Sequence, residues 1–201
     1  MLTRTLEEGI TEDPIYAKLA VTYGWVGDFD EAREILSHFE EINDLGLLLT
    51  FGRLALSHQQ LGEARGWFER ALAVDPANPA IKLNLGQIAL AEGRLTDARA
   101  HFQESLAEDL SSFEGWSGLG MVFARQGDVE GAIIAWERAR QINSGFSDVL
   151  LNLGLAHAQL GHLFQAIGFL EDYAAGAPPG PKQEQALAVA QRLRLQASQS
   201  R

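Results

Sequence analysis

Cysteine is absent from the 201 residues, which excludes disulfide bonds, thiolate metal sites and a thiol nucleophile. The sequence also lacks any run of the roughly 18 apolar residues that a membrane-spanning helix requires. Its start, MLTRTLEEGITEDP, carries acids where a secretory leader has an apolar segment. We therefore expect no direct membrane insertion and a cytoplasmic location for the sequence as given, with the periplasm as the alternative if it is part of a longer chain.

Basic residues are scarce, since 16 Lys and Arg stand against 27 Asp and Glu, for a net charge of −11. Lys and Arg hold nucleic acids and anionic membranes by neutralising phosphates, so this balance argues against nucleic acid as a partner. Proline occurs only 6 times, while Ala, Leu, Glu, Gln and Arg dominate. Because these residues favour helix, the composition predicts an all-α protein.

A fixed spacing between alanines is the strongest pattern in the sequence. The recurring alanines, at intervals of 32, 34, 34 and 34 residues, are Ala32, Ala64, Ala98, Ala132 and Ala166. Four residues after each of them stands a large apolar residue: Leu36, Phe68, Phe102, Trp136 and Leu170. Residues i and i+4 share one face of a helix, so each alanine and its large partner form an apolar stripe.

A second helical segment precedes each alanine, and in four repeats it carries a glycine twelve residues before that alanine. These glycines are Gly52, Gly86, Gly120 and Gly154. A glycine inside a helix costs about 1 kcal/mol relative to alanine, so its recurrence needs a structural reason. We expect each glycine to face the alanine of the following helix and to let the two backbones approach closely.

The turn between the two helices also has a recurrent residue, five positions before the alanine. It is glycine in four repeats: Gly27, Gly93, Gly127 and Gly161. A helix often ends with a residue at positive φ, which glycine adopts without steric cost, so these glycines predict short, tight turns. The second repeat has Gln59 in that place, and its geometry is the least defined by the pattern.

These motifs resemble the tetratricopeptide repeat, whose signature reads Trp-x-x-Leu-Gly-x-x-Tyr, then Ala-x-x-x-Phe, then Pro. The best copy is Trp116-x-x-Leu119-Gly120-x-x-Phe123 followed by Ala132-x-x-x-Trp136. The resemblance implies an all-α, right-handed superhelical solenoid of antiparallel helix pairs, with five repeats and a C-terminal capping helix.

The repeat register also predicts boundaries. They are an N-terminal stub at 1–12, an array at 13–180 divided into 13–44, 45–78, 79–112, 113–146 and 147–180, and a cap with a short tail at 181–201. The predicted helices are 14–26, 29–42, 45–58, 61–74, 79–92, 95–108, 113–126, 129–142, 147–160, 163–176 and about 182–197. In the stub, Leu2, Leu6 and Ile10 resemble the end of a preceding helix. The predicted apolar face of the cap consists of Leu187, Ala190 and Leu193.

The remaining residues indicate no catalytic or metal-binding site. His157 and His162 are five apart and straddle Gly161, so they do not make the i, i+4 pair of a helical zinc site. Paired acids such as Glu40 and Glu41 lie near the ends of second helices, where a solvated surface is their usual role. We therefore predict no catalytic residue, no metal and no cofactor, and a protein that is not an enzyme.

In the family that the sequence resembles, the first helix of each pair lines the concave side of the solenoid. Transferred by register, the predicted peptide-binding groove consists of Lys18, Val21, Trp25, Leu49, Arg53, Leu56, Leu83, Asn84, Gln87, Leu90, Met121, Arg125, Leu151, Asn152 and Leu155. Asn84 and Asn152 occupy one column, and their amides suit the backbone of an extended segment. The Lys and Asn set by which some relatives hold chaperone C-termini is absent, which argues against a co-chaperone.

Two functions follow from the resemblance. The first is a scaffold or adaptor that binds a partner peptide or protein segment in the concave groove, within a bacterial multiprotein assembly. The second is a non-catalytic repeat region of a larger enzyme or membrane-complex protein, which presents substrates or mediates self-association. The sequence leaves the partner, the pathway and the oligomeric state open, including assembly into a homo-oligomer.

Overall fold

The computed structural model describes residues 13–37, 44–145 and 147–199, which form eleven α-helices and no strand. The helices are α1 Asp13–Val26, α2 Phe29–Ser37, α3 Leu45–Ser57, α4 Leu61–Val74, α5 Pro79–Ala91, α6 Leu95–Glu108, α7 Phe113–Gln126, α8 Val129–Ile142, α9 Ser147–Gln159, α10 Leu163–Gly176 and α11 Pro181–Gln199. Every predicted helix end within these ranges is correct to within two residues. The predicted stub at 1–12 and the predicted end of the second helix at residue 42 lie outside the described residues.

Two compact units make up the described chain, and they are divided between Ile81 and Lys82. The first unit contains α1 to α4. The second contains most of α5 and all of α6 to α11. Within each unit, consecutive helices joined by short turns pack as antiparallel pairs, so the predicted all-α helical-repeat fold is confirmed.

The glycines of the first helices accommodate a large side chain from the second helix of the same pair. A Cβ atom added at Gly86 would lie 2.8 Å from the ring of Phe102, and one added at Gly154 would lie 2.7 Å from Leu170 Cγ. At Gly120 the added atom would meet the indole ring of Trp136. The space that these glycines leave is therefore filled by the large residue four positions after the alanine of the following helix.

Phe102 also links one helix pair to the next inside the second unit. Its ring is fully buried, and a Cβ atom added at Gly118 of α7 would lie 2.5 Å from its Cζ atom. The ring therefore packs between Gly86 of α5 and Gly118 of α7. Such close packing leaves no space for an added methyl group on either side.

The turns have the predicted left-handed residue in the four repeats that carry glycine, and the second repeat, which the sequence left undefined, has one too. The four glycines have φ between 74° and 87°, and Gln59 has φ 60° in the second repeat. The amide of Gln59 donates to Leu56 O over 2.9 Å, as the amide of Gly127 donates to Ala124 O over 3.1 Å. The second repeat thus keeps the same turn although a side chain makes that conformation unfavourable.

The last helix, α11, packs its apolar face onto α10. Ala186, Ala190 and Leu193 are buried in a cluster with residues of α10 that include Leu170. Leu187, which the sequence placed on that face, is 49% exposed, so that assignment was wrong. The inward stripe begins one residue earlier, at Ala186, and continues at the helical spacings i+4 and i+7.

The packing of Gly120 against Trp136 predicts that Gly120→Val destabilises the protein by about 1–3 kcal/mol through overpacking. The free energy of unfolding in urea measures this loss. Gly168→Val is the matched control, because no atom lies within 4 Å of a Cβ added at that helical glycine. If both variants unfolded at the wild-type midpoint, the contact with Trp136 would be wrong.

The positive φ of Gln59 predicts that Gln59→Gly raises the free energy of unfolding by about 1 kcal/mol, because glycine adopts this conformation without a Cβ clash. Gln103→Gly, at an exposed position inside α6, should lower it by about the same amount. Opposite shifts of the two melting temperatures would confirm the turn. A lower melting temperature for Gln59→Gly would contradict it.

The burial of Leu193 predicts that Leu193→Ala lowers the free energy of unfolding by about 2–5 kcal/mol. Leu195 is two residues further on and 61% exposed. Leu195→Ala should therefore stay within about 0.5 kcal/mol of the wild-type value. Denaturant unfolding of the two variants compares them directly, and equal losses would mean that α11 does not pack through this face.

Candidate functional site

A pocket of about 270 Å³ lies in the second unit, between the first helices α7 and α9 and above α8. Its walls are Met121, Ala124 and Arg125 from α7, and Asn152, Leu155, Ala156 and Gln159 from α9. Its floor is formed by Val129, Ala132 and Trp136 from α8. The pocket is open to solvent and combines an apolar floor with a partly polar rim.

The floor of this pocket is held by the repeat packing. Ala132 is fully buried and Trp136 is 4% exposed, and both belong to the core cluster that also contains Leu153 of α9. The Trp136 indole Nε1 donates to the carbonyl of Ser117 over 3.2 Å. Since its hydrogen-bond donor is already satisfied, the indole presents the pocket with a fixed apolar surface.

The rim carries two polar side chains with different partners. Asn152 Nδ2 lies 3.8 Å from Met121 Sδ, and a thioether sulfur is only a weak hydrogen-bond acceptor. Arg125 Nη1 donates to the carbonyl of Leu90 at the end of α5, over 2.6 Å. No acid stands among the described residues that line the pocket, so it carries positive charge within an acidic protein.

Four of the predicted groove residues meet at this pocket: Met121, Arg125, Asn152 and Leu155. The other predicted residues of the second unit lie elsewhere. Leu83 and Leu90 pack against the core cluster around Phe102, and Leu151 packs against the cluster beneath α11. Asn84 is half-buried and Gln87 is exposed on α5, and neither lines the pocket.

The predicted residues of the first unit form a separate set. Lys18 and Trp25 are exposed on α1, with the Trp25 side chain 70% accessible, and Val21 is half-buried. On α3, Leu49 and Leu56 are half-buried while Arg53 is exposed.

Sequence reasoning missed the floor of the pocket and three residues of its walls, which are Ala124, Ala156 and Gln159. The signal for Gln159 was present, because it lies four residues after Leu155 and seven after Asn152, on the same helical face. Ala132 and Trp136 were assigned only to the apolar stripe of the second helix, since the sequence does not show that their surface stays open on one side.

His157 and His162, which stand on either side of the turn glycine Gly161, lie in direct contact. Their Nδ1 atoms are 3.2 Å apart, and the His157 ring stacks on Phe169 with ring centres 5.5 Å apart. Burial lowers the pKa of His157 below its ordinary value, the charge of His162 adds to this effect, and Glu137 opposes it.

Within residues 13–37, 44–145 and 147–199, no group of three or more His, Cys, Asp or Glu is placed to hold a metal ion. None of the helices in that part of the chain is long and apolar enough to cross a membrane.

A family model described as the tetratricopeptide repeat matches residues 49–113 and 97–146. The chain belongs to the tetratricopeptide-repeat family. Proteins of this family are typically non-catalytic interaction modules, and the fold is that of a protein-interaction scaffold. A comparison with curated proteins gives no match.

Solved tetratricopeptide-repeat structures share this fold at low sequence identity. MamA has a TM-score of 0.72 and 20% identity, over 84% of this chain and 97% of that one. YrrB, described as a TPR protein with an unusual peptide-binding site, has a TM-score of 0.69 and 18% identity, over 92% and 97%. The APC/C hetero-tetramer Cut9–Hcn1 has a TM-score of 0.70 and 18% identity, over 93% of this chain and 38% of that one.

Proposed function

We propose that this protein is a scaffold or adaptor that binds an extended segment of a partner protein across α7 and α9, with the pocket above Trp136 as the anchoring site. The observation that carries this proposal is the convergence of Met121, Arg125, Asn152 and Leu155 around one open pocket. These residues come from α7 and α9, which are the first helices of successive repeats.

The apolar part of the pocket supplies the binding energy in this proposal. Leu155 is 40% exposed, and Met121 is half-buried beside the fixed indole of Trp136. Covering such surface with a side chain of the partner gains about 25 cal/mol for each Å² of apolar area removed from water. Methionine adapts its shape to different side chains, which suits a wall that closes around a ligand.

The polar rim would orient the segment. Asn152 donates to a sulfur atom, so exchange of that contact for a backbone carbonyl of the partner gives a stronger hydrogen bond. Arg125 keeps further N–H groups beyond the one that serves Leu90 O, and its charge favours a carboxylate or carbonyl on the segment. Such an exposed ion pair adds no more than about 1 kcal/mol.

Two structural neighbours support the proposal by analogy. YrrB is described as having a peptide-binding site, and Cut9 occurs in a hetero-tetramer with Hcn1. We accordingly place the present chain within a multiprotein assembly, with a bacterial assembly as the proposed setting.

The proposal is tested by selecting a random peptide library against the wild-type protein and measuring the selected peptides by fluorescence anisotropy. Asn152→Ala should weaken binding by about 1–3 kcal/mol, as expected for a hydrogen bond lost at a desolvated site. Leu155→Asp should abolish binding, because it places a charge at the apolar wall. The melting temperatures should remain near the wild-type value, because both side chains are partly exposed.

Substitutions outside the pocket serve as controls. Ile134 on α8 is 66% exposed and does not line the pocket, so Ile134→Asp matches Leu155→Asp in chemistry. Arg138→Glu tests the outer surface of the same helix. If the selected peptides bound Leu155→Asp normally and were lost on Ile134→Asp or Arg138→Glu, α8 would be the binding surface and the proposal would be wrong.

A further inference from the structure

The two histidines at the end of α9 are brought together by the backbone of the turn. Gly161 adopts φ 74°, and the amide of His162 donates to the carbonyl of His157 over 2.9 Å. This bond is the six-to-one contact of a Schellman motif, in which the residue after the left-handed glycine returns to the last turn of the helix. The five-residue spacing therefore places the two side chains next to each other.

The same backbone bond recurs at the corresponding turns of the other repeats. It joins the pairs Asp28 and Tyr23, Gln60 and Ala55, Arg94 and Ala89, and Asp128 and Phe123. None of these pairs carries two nitrogen ligands. The last repeat thus has the same backbone turn as the others, but only there does the bond join two histidines.

The distance between the imidazole nitrogens matches that between two ligands of one metal ion. At the usual zinc–nitrogen bond length of about 2.0–2.1 Å, two ligands lie about 3.3 Å apart in a tetrahedral site and about 2.9 Å apart in an octahedral one. The Nδ1 atoms of His157 and His162 are 3.2 Å apart, and with no ion bound one of them donates a hydrogen bond to the other. We propose that the two rings form a binding site for a divalent transition-metal ion such as Cu²⁺, Ni²⁺ or Zn²⁺, bound through both Nδ1 atoms.

The surroundings hold one of the two rings in place. His157 stacks nearly parallel on Phe169, at an angle of 13°, and the guanidinium of Arg140 covers Phe169 at 5.6 Å. Arg140 is paired with Glu137 over 2.8 Å, which offsets the positive charge near the site. The His157 ring is therefore oriented before an ion arrives, and the exposed ring of His162 lies in contact with it.

The ligand set determines the kind of ion. Neutral imidazole suits zinc, copper and nickel, whereas magnesium and calcium prefer oxygen ligands. With two protein ligands, the ion keeps open positions that water occupies. Affinity should rise from Ni²⁺ to Cu²⁺ and fall again for Zn²⁺, following the general order for divalent ions of this row.

The test is a titration of the full chain with Cu²⁺ near neutral pH, followed by calorimetry and by electron paramagnetic resonance. We expect one Cu²⁺ ion to bind tightly per chain, and its spectrum should show hyperfine coupling to two imidazole nitrogens. His157→Ala and His162→Ala should each weaken this binding by on the order of tenfold or more, since each removes one of two coordinating bonds. Mg²⁺ should give no heat of binding.

The controls use the other described histidines, which lie elsewhere in the fold. His58→Ala and His101→Ala should bind Cu²⁺ like the wild type. Circular dichroism checks that His162→Ala remains folded, and His162→Gln provides a second variant of similar size. Retention of the tightly bound ion in the double variant His157→Ala with His162→Ala would overturn the proposal, as would a wild-type spectrum with one nitrogen or none.

Discussion

The packing of four of the helix pairs, and the pocket in the second unit, depend on the contact between a helical glycine and a large side chain of the following helix. In the fourth repeat it joins Gly120 to Trp136, and it lets the indole ring of α8 pack directly against the backbone of α7. This approach buries one edge of the indole and leaves another at the base of the pocket. The same contact that stabilises the repeat therefore also supplies the floor of the proposed binding site.

The helices could be predicted from sequence because their signals are local and repeated. The spacing of the alanines locates the second helices, and the glycine before each of four alanines locates the turn. The turn at Gln59 could not be predicted in this way, because a residue with a side chain rarely adopts a positive φ. The errors concern contacts between helices. Leu187 was assigned to the apolar face of the cap but is exposed, because this outcome depends on how one helix is rotated against its neighbour.

The candidate site was predictable only in part, for the same reason. Helical register places Met121 and Arg125 on one face of α7, and Asn152 and Leu155 on one face of α9. Register cannot show how deeply each side chain is covered, so Leu151 was assigned to the groove although it packs beneath α11. The pocket itself arises where α8 leaves a gap between its neighbours, and no single helix encodes that gap.

The turns show how one backbone frame supports different chemistry in successive repeats. In the fourth repeat, Asp128 stands after the left-handed glycine and accepts a hydrogen bond from Gly131 N over 2.9 Å, which caps α8. In the fifth, His162 stands in that place, makes no such cap and contacts His157 instead. The backbone bond holds the turn in both cases. A change of side chain there therefore removes only the capping hydrogen bond, worth about 1 kcal/mol, and leaves the turn in place. The side chains of the two residues joined by this bond can therefore differ from repeat to repeat, and take on different functions, without repacking of the core.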